Sequence, residues 1–156
     1  MFSCRSWNHG DEAFLWEMLY QSIHVGSDEP PPPRSILDQP DIAHYLSDFG
    51  HRRGDDAQIA IDDVGTRIGA AFCRRMAIDD PGYGFISGDI PELGMAVVPD
   101  WRGRRVGRRL LEDLLARNPS MSLSVDRDNH AAEALYVGLG FVEVAVEGTA
   151  KTMLRR

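Results

Sequence analysis

The sequence predicts a mixed α/β fold in which one sheet of about seven strands carries helices on both faces. Three observations predict it. Short apolar runs bounded by turn residues recur along the chain, as strands do. Between them lie stretches whose apolar residues repeat every three or four positions, as on a buried helical face. A strand, helix, strand succession over residues 93–125 calls for a right-handed parallel crossover inside an otherwise antiparallel arrangement.

Residues 2–7 suit an edge strand. Asp11 is placed to cap the next helix by accepting from first-turn amides, and Phe14, Leu15, Met18, Leu19 and Ile23 mark its buried face. Residues 26–40 hold Pro30 to Pro33, which fix φ and remove amide donors, so a stiff surface loop is expected there, ahead of a partner-binding motif. Residues 42–49 give a short helix ending at Gly50, where a left-handed position suits glycine. Residues 58–61 and 67–74 read as a hairpin through Asp62-Asp63-Val64-Gly65. A long loop rich in Gly and Asp follows over 76–91, and loops of that length tend to carry function. The strand 93–98 stops at Pro99. Val106, Leu110, Leu111, Leu114 and Leu115 then line a helix to about Arg117. Strand 121–125, helix 129–139 and the strand pair 141–146 and 149–154 complete the order.

With 156 residues and a hydrophobic fraction of 43%, the expectation is one domain over 1–156 with one core. No apolar run approaches the ~20 residues that span a bilayer, and the first ten residues lack a basic region followed by an apolar one. A soluble, cytoplasmic protein is expected. Cys4 and Cys73 lie far apart without Cys or His at ligand spacing, so both are expected as small buried residues, with neither disulfide nor metal. A net charge of -7 argues against nonspecific nucleic-acid binding, which draws its affinity from phosphate contacts.

The local exception is the arginine-rich stretch Arg102, Arg104, Arg105, Arg108 and Arg109. Here a strand runs into a turn containing Gly103 and Gly107, and a helix begins within it. The first amides of that helix have no internal acceptor, so they offer an anion site, and the helix dipole adds partial positive charge. Cationic side chains at a helix N-terminus oppose the dipole, so a bound polyphosphate would relieve the arrangement. Spacing alone leaves open whether these arginines bind an anion or form a solvated face paired with carboxylates.

The strand, the Val-Pro-Asp-Trp-Arg-Gly turn and the following helix resemble the acetyl-CoA motif of the GNAT N-acetyltransferase superfamily, Arg or Gln, two residues, Gly, one residue, Gly or Ala. Arg102 and Gly107 match its ends, and Arg105 departs from it at the inner glycine. A second block, DNHAAEALYVGLGF over 128–141, is similar to the later motif of that superfamily. The order of elements resembles the fold from end to end.

The resemblance implies a GNAT-like, mostly antiparallel sheet whose strands splay around a cofactor slot, with acetyl-CoA as acyl donor. It implies that the backbone of Met95, Ala96, Val97 and Val98 pairs with the pantetheine arm, while Arg102, Gly103, Arg104, Arg105, Val106, Gly107 and Arg108 hold the pyrophosphate. Asn129 is a helix cap or a pantetheine contact, with equal weight. Tyr136, where the family pattern has its tyrosine, is implied as the acid for the leaving thiolate and as a cofactor contact; packing beside Leu135 and Leu139 is the plainer role. An acceptor amine is mostly protonated at pH 7 and needs a base. Glu92, opening the strand that carries the thioester, is the leading candidate, against an ordinary strand-edge charge. Ser124 stands where some relatives have a glutamate, and Asp89 and Asp126 are further candidates.

The expected activity is transfer of acetyl to an amine of a small molecule or protein by direct attack. A non-catalytic acyl-CoA-binding or sensor domain is the alternative, and nucleic-acid recognition through the arginines is a third. Asp79, Asp80 and Asp89 would steer a cationic acceptor, although a solvated loop explains them equally well. Acceptor identity, acyl chain length and a homodimer stay open.

Overall fold

Seven short runs pair as strands. The computed structural model describes residues 1–156 apart from His24 and Ser27, so position 27 of the predicted loop 26–40 lies outside the described residues. The strands are β1 (Phe2–Ser6), β2 (Asp56–Asp62), β3 (Arg67–Arg74), β4 (Glu92–Val97), β5 (Met121–Asp126), β6 (Val142–Glu147) and β7 (Ala150–Arg155). They form one sheet in the order β1-β2-β3-β4-β5-β7-β6. Every neighbouring pair is antiparallel except β4 with β5. This is the mixed, mostly antiparallel sheet that the sequence predicts.

Two apolar layers cover it. On one face α3 (Val106–Arg117) buries Val106, Leu110, Leu111, Leu114 and Leu115, and α4 (His130–Gly138) adds Tyr136. On the other, α1 (Glu12–Ser22) buries Leu15, Met18 and Leu19 with Leu46, Phe49 and Phe72. Among the described residues no helix is long and apolar enough to cross a membrane. Cys4 is half-buried and Cys73 buried, both as free thiols.

Two local expectations are corrected. Asp11 does not cap α1 with its side chain. Asn8 instead caps a 3-10 turn over His9–Asp11, and Asp11 completes the capping box by accepting from the Asn8 amide at 2.8 Å. Its carboxylate also pairs with Arg5 at 2.8 Å and Arg67 at 2.7 Å. Burial raises this group, but Arg5, the Asn8 amide and Arg67 outweigh it and hold the carboxyl well below the usual range. The predicted helix 42–49 is a single turn, α2 (Pro40–Ala43), preceded by a 3-10 turn over Arg34–Asp38. Pro40 sets the start of α2, and its early end is explained by Arg74, whose buried guanidinium takes the carbonyls of His44 at 3.1 Å and Ser47 at 2.7 Å while pairing with Asp55. Carbonyls bound sideways do not continue a helix.

Candidate active site

The sheet opens between β4 and β5. β4 pairs with β3 from Gly69↔Val97 to Arg74↔Glu92, but with β5 only at Glu92↔Ser122. At that closed end the Ser122 amide donates to the Pro91 carbonyl at 3.0 Å. Backbone groups alternate sides along a strand. Pro91 faces β5, so Leu93, Met95 and Val97 turn their backbone groups into the gap. The Val98 amide donates instead to Ile68 on the β3 side at 2.9 Å, and Ala96 shares that orientation. Of the four residues expected to pair with an extended ligand arm, Met95 and Val97 therefore face the gap, and Ala96 and Val98 do not. Leu93, not singled out from sequence, joins them. Counting alternate positions back from Val97 could have found it.

The start of α3 lies at the open end. Arg105 precedes it with φ 66 and ψ 16, in the left-handed region, and supplies no side-chain cap. Val106, Gly107 and Arg108 thus begin the helix with amides that lack an intrahelical acceptor. A Cβ on Gly107 would lie 3.3 Å from Met95 Cε and 3.5 Å from Leu135 Cδ2. Glycine there lets the first turn of α3 sit against β4 and α4.

The arginines divide into distinct roles. Arg102 Nε donates to the Val97 carbonyl at 2.9 Å, at the mouth of the gap. Arg104 stacks over Trp101 at 5.0 Å. Arg108 and Arg109 pair with Glu112 and Asp113 one turn along α3. Arg105 is exposed and has no ion pair among the described residues. The carboxylate partners come from the same helix and leave the amides uncovered.

Asn129 caps α4, accepting from Ala132 at 3.4 Å. Tyr136, one helix face further on, is buried with its ring 5.7 Å from that of Phe141, and burial pushes its phenol up to about 12. It belongs to the α3 face, together with Leu93, Met95 and Val97.

Glu92 belongs to the opposite face. Ala96 packs among the α1-side residues, and a Cβ on Gly94 would strike the Phe72 ring at 2.4 Å, so the even positions of β4 point that way. Glu92 is 2% exposed and accepts from the Gly84 amide at 2.9 Å, the Gly82 amide at 3.0 Å and the Tyr45 hydroxyl at 3.1 Å. Burial raises its carboxyl above the usual range, and these donors offset only part of that. The strand-edge charge that sequence left open is thus a buried, fully engaged group. Tyr45, Gly82 and Gly84 were not foreseen, since no local pattern links them to Glu92.

Asp80, expected to steer an acceptor, holds His44 Nδ1 at 2.8 Å. Asp79 and Asp89 are exposed. Ser124 is exposed on β5, and Asp126 borders a cleft of about 370 Å³ with Glu29, Arg127, Asp128 and Thr149. Among the described residues no group of three or more His, Cys, Asp or Glu could hold a metal.

A seven-stranded sheet forked beside a helix N-terminus matches a known family. Residues 55–143, more than half of the chain, match the family model for the acetyltransferase (GNAT) domain, and the chain belongs to that family. It is similar to the N-alpha-acetyltransferase RimI of Mycobacterium tuberculosis, 38% identical over 84 residues, 53% of this chain and 49% of the relative. It is also similar to an uncharacterized protein of Mycobacterium leprae, 46% identical over 54 residues, 33% of this chain and 15% of that one. The matches thus span about half or less of these relatives.

Among solved structures, the ribosomal-protein-S18-alanine N-acetyltransferase of Escherichia coli superposes with TM-score 0.64 at 21% identity, covering 99% of this chain and 91% of that one. A phosphinothricin acetyltransferase of Sinorhizobium meliloti in complex with AcCoA gives 0.66 at 18%, covering 99% and 87%. These likenesses show the fold.

Proposed function

We propose that the chain is a single acetyl-CoA-dependent N-acetyltransferase domain acting on an amine. One observation carries the proposal: β4 and β5 share a single residue pair, leaving the Met95 backbone and the Val97 amide without a strand partner on the β5 side, beside the uncapped start of α3. An extended pantetheine arm suits that edge, and a pyrophosphate suits amides 106–108 with Arg105 and the neighbouring arginines. When bound, acetyl-CoA supplies an activated acetyl thioester. Glu92 and Tyr136 stand on opposite faces of the sheet, so an acceptor approaches from the α1 face while thiol departs on the α3 face. Glu92 receives the proton that the ammonium must lose. Tyr136, a protonated phenol at neutral pH, donates to the leaving sulfur.

A peptide N-terminus is consistent with the RimI relative. Calorimetry with acetyl-CoA, followed by thiol-release assays with an N-terminal alanine peptide and a small-amine panel, tests the proposal. Saturable heat and amine-dependent thiol release are expected. Neither heat nor a thermal shift at millimolar acetyl-CoA would sink it. Saturable binding without turnover would favour a sensor domain instead, a second role suggested by the three donors already occupying Glu92.

A further inference from the structure

Two buried polar atoms on the α1 face of the closed end of the fork have no hydrogen-bond partner among the described residues, His44 Nε2 and Ser122 Oγ. Buried polar atoms without a partner call for a physical explanation. His44 is 7% exposed and Ser122 is fully buried. A carboxylate only accepts, so Nδ1 of His44 is the donor in its 2.8 Å bond to Asp80, and a neutral ring then carries its lone pair on Nε2.

The surroundings tie this imidazole to Glu92. Tyr45, next in sequence, packs edge-on against the His44 ring at 4.8 Å and donates its hydroxyl to Glu92. Asp80 lies two residues before Gly82, whose amide donates to the other Glu92 oxygen. His44 and Glu92 are thus gripped by the same two segments. Ser122 is the register partner of Glu92 across the fork, and it shares that face because Leu123 belongs to the other.

We propose that His44, oriented by Asp80, is a positioning residue that relieves Glu92 of its proton through one water held between His44 Nε2 and Ser122 Oγ. This rests on acetyl transfer with Glu92 as base. An N–H bond of the ammonium breaks as a Glu92 O–H bond forms. That O–H bond then breaks as the His44 Nε2–H bond forms through the water, leaving Glu92 ionised for the next turnover and an imidazolium beside Asp80. Asp80 is half-exposed and gives the imidazolium its route to solvent.

Every neighbouring element contributes to this balance. The segment after α2 brings Tyr45, and the 75–91 loop brings Asp80 and Tyr83, whose hydroxyl bonds Asp41. From β3 comes Arg74, its charge matched by Asp55. α1 offers the apolar Leu15, Met18 and Leu19. A charge on His44 favours the ionised form of Glu92.

The test uses His44→Asn, whose amide keeps a donor for Asp80 and deletes Nε2. In the full chain, carbon-13 NMR of labelled Glu carboxyls follows Glu92, assigned with Glu92→Gln. Glu92 is expected to titrate at higher pH in His44→Asn than in the unmodified chain. An unchanged Glu92 titration overturns the proposal, whatever the acceptor. With acetyl-CoA and an N-terminal alanine peptide, kcat is expected to fall about tenfold or more at neutral pH with KM retained, the loss shrinking as pH rises. A loss constant across pH with a lowered Tm marks a merely structural role and also overturns it. Should His44→Asn fail to fold, Asp80→Asn, at a half-exposed site, is expected to move both readouts in the same directions. A chain that binds no acetyl-CoA defeats the proposed function, whereas binding and turnover with an unchanged Glu92 titration defeats the relay alone.

Discussion

Arg105→Gly should raise the stability of the free protein and weaken its hold on acetyl-CoA. Arg105 sits at φ 66, where an L-residue pays about 1–2 kcal/mol that glycine avoids. Glycine also loosens the unfolded chain, returning about 0.4–1 kcal/mol of the gain. The net is a stabilisation of about 0.5–1 kcal/mol, or roughly 1–4 °C in Tm for a chain of this size. Arg105 is exposed, with no ion pair among the described residues, so no ion pair is lost. A charge-assisted bond to a phosphate is lost, worth about 1.5 kcal/mol at the lower end, so Kd should rise about tenfold. Scanning calorimetry without ligand and titration with acetyl-CoA read the two effects separately. A lower Tm refutes the strain, and a higher Tm with unchanged Kd refutes the phosphate contact.

Tyr136→Phe should lower kcat about a hundredfold while acetyl-CoA affinity stays within about twofold; equal turnover by steady-state kinetics removes the acid role. Gly84→Ala places a Cβ 2.5 Å from the Leu123 carbonyl carbon and 2.8 Å from the Ser124 nitrogen. Backbone must shift, costing about 1–3 kcal/mol, and thermal denaturation should show a drop of several degrees. For Asp11 the folded carboxyl lies below its ordinary value near 3.8, so its stabilisation is present above that pH and is lost as pH falls toward the folded value. Asp11→Asn should therefore lower Tm at pH 7, with the gap to the unmodified chain closing below about pH 4; a gap independent of pH counts against the Arg5 and Arg67 pairing.

The elements were legible because they announce themselves locally: the continuous apolar run in residues 67–74, a turn at 62–65, and the stripe from Val106 to Leu115 each require only neighbours in sequence. The donor side of the site was legible for the same reason, since its strand, turn and helix are contiguous. The surroundings of Glu92 were not. Tyr45 lies 47 residues from it and meets it only through tertiary packing. The short α2 was misjudged because Arg74, from a distant strand, takes carbonyls that a longer helix would have used. Asp11 looked like a cap because Asn8, which forms the turn before it, lies three residues earlier in a similar pattern.

The single residue pair joining β4 to β5 makes the molecule mechanically two half-sheets meeting at a seam. β1 to β4 carry α1 and α3, while β5 to β7 carry α4. Closure along the seam depends on one pair of residues and on packing across it, including Leu135 of α4 beside Gly107 of α3. A ligand lying in the seam would act as a staple, supplying the hydrogen bonds that a continuous ladder would otherwise provide. The smaller half, with every residue of β6 exposed, should open first in the free protein, and amide exchange in β5 to β7 should slow more than in β1 to β3 once the seam is filled.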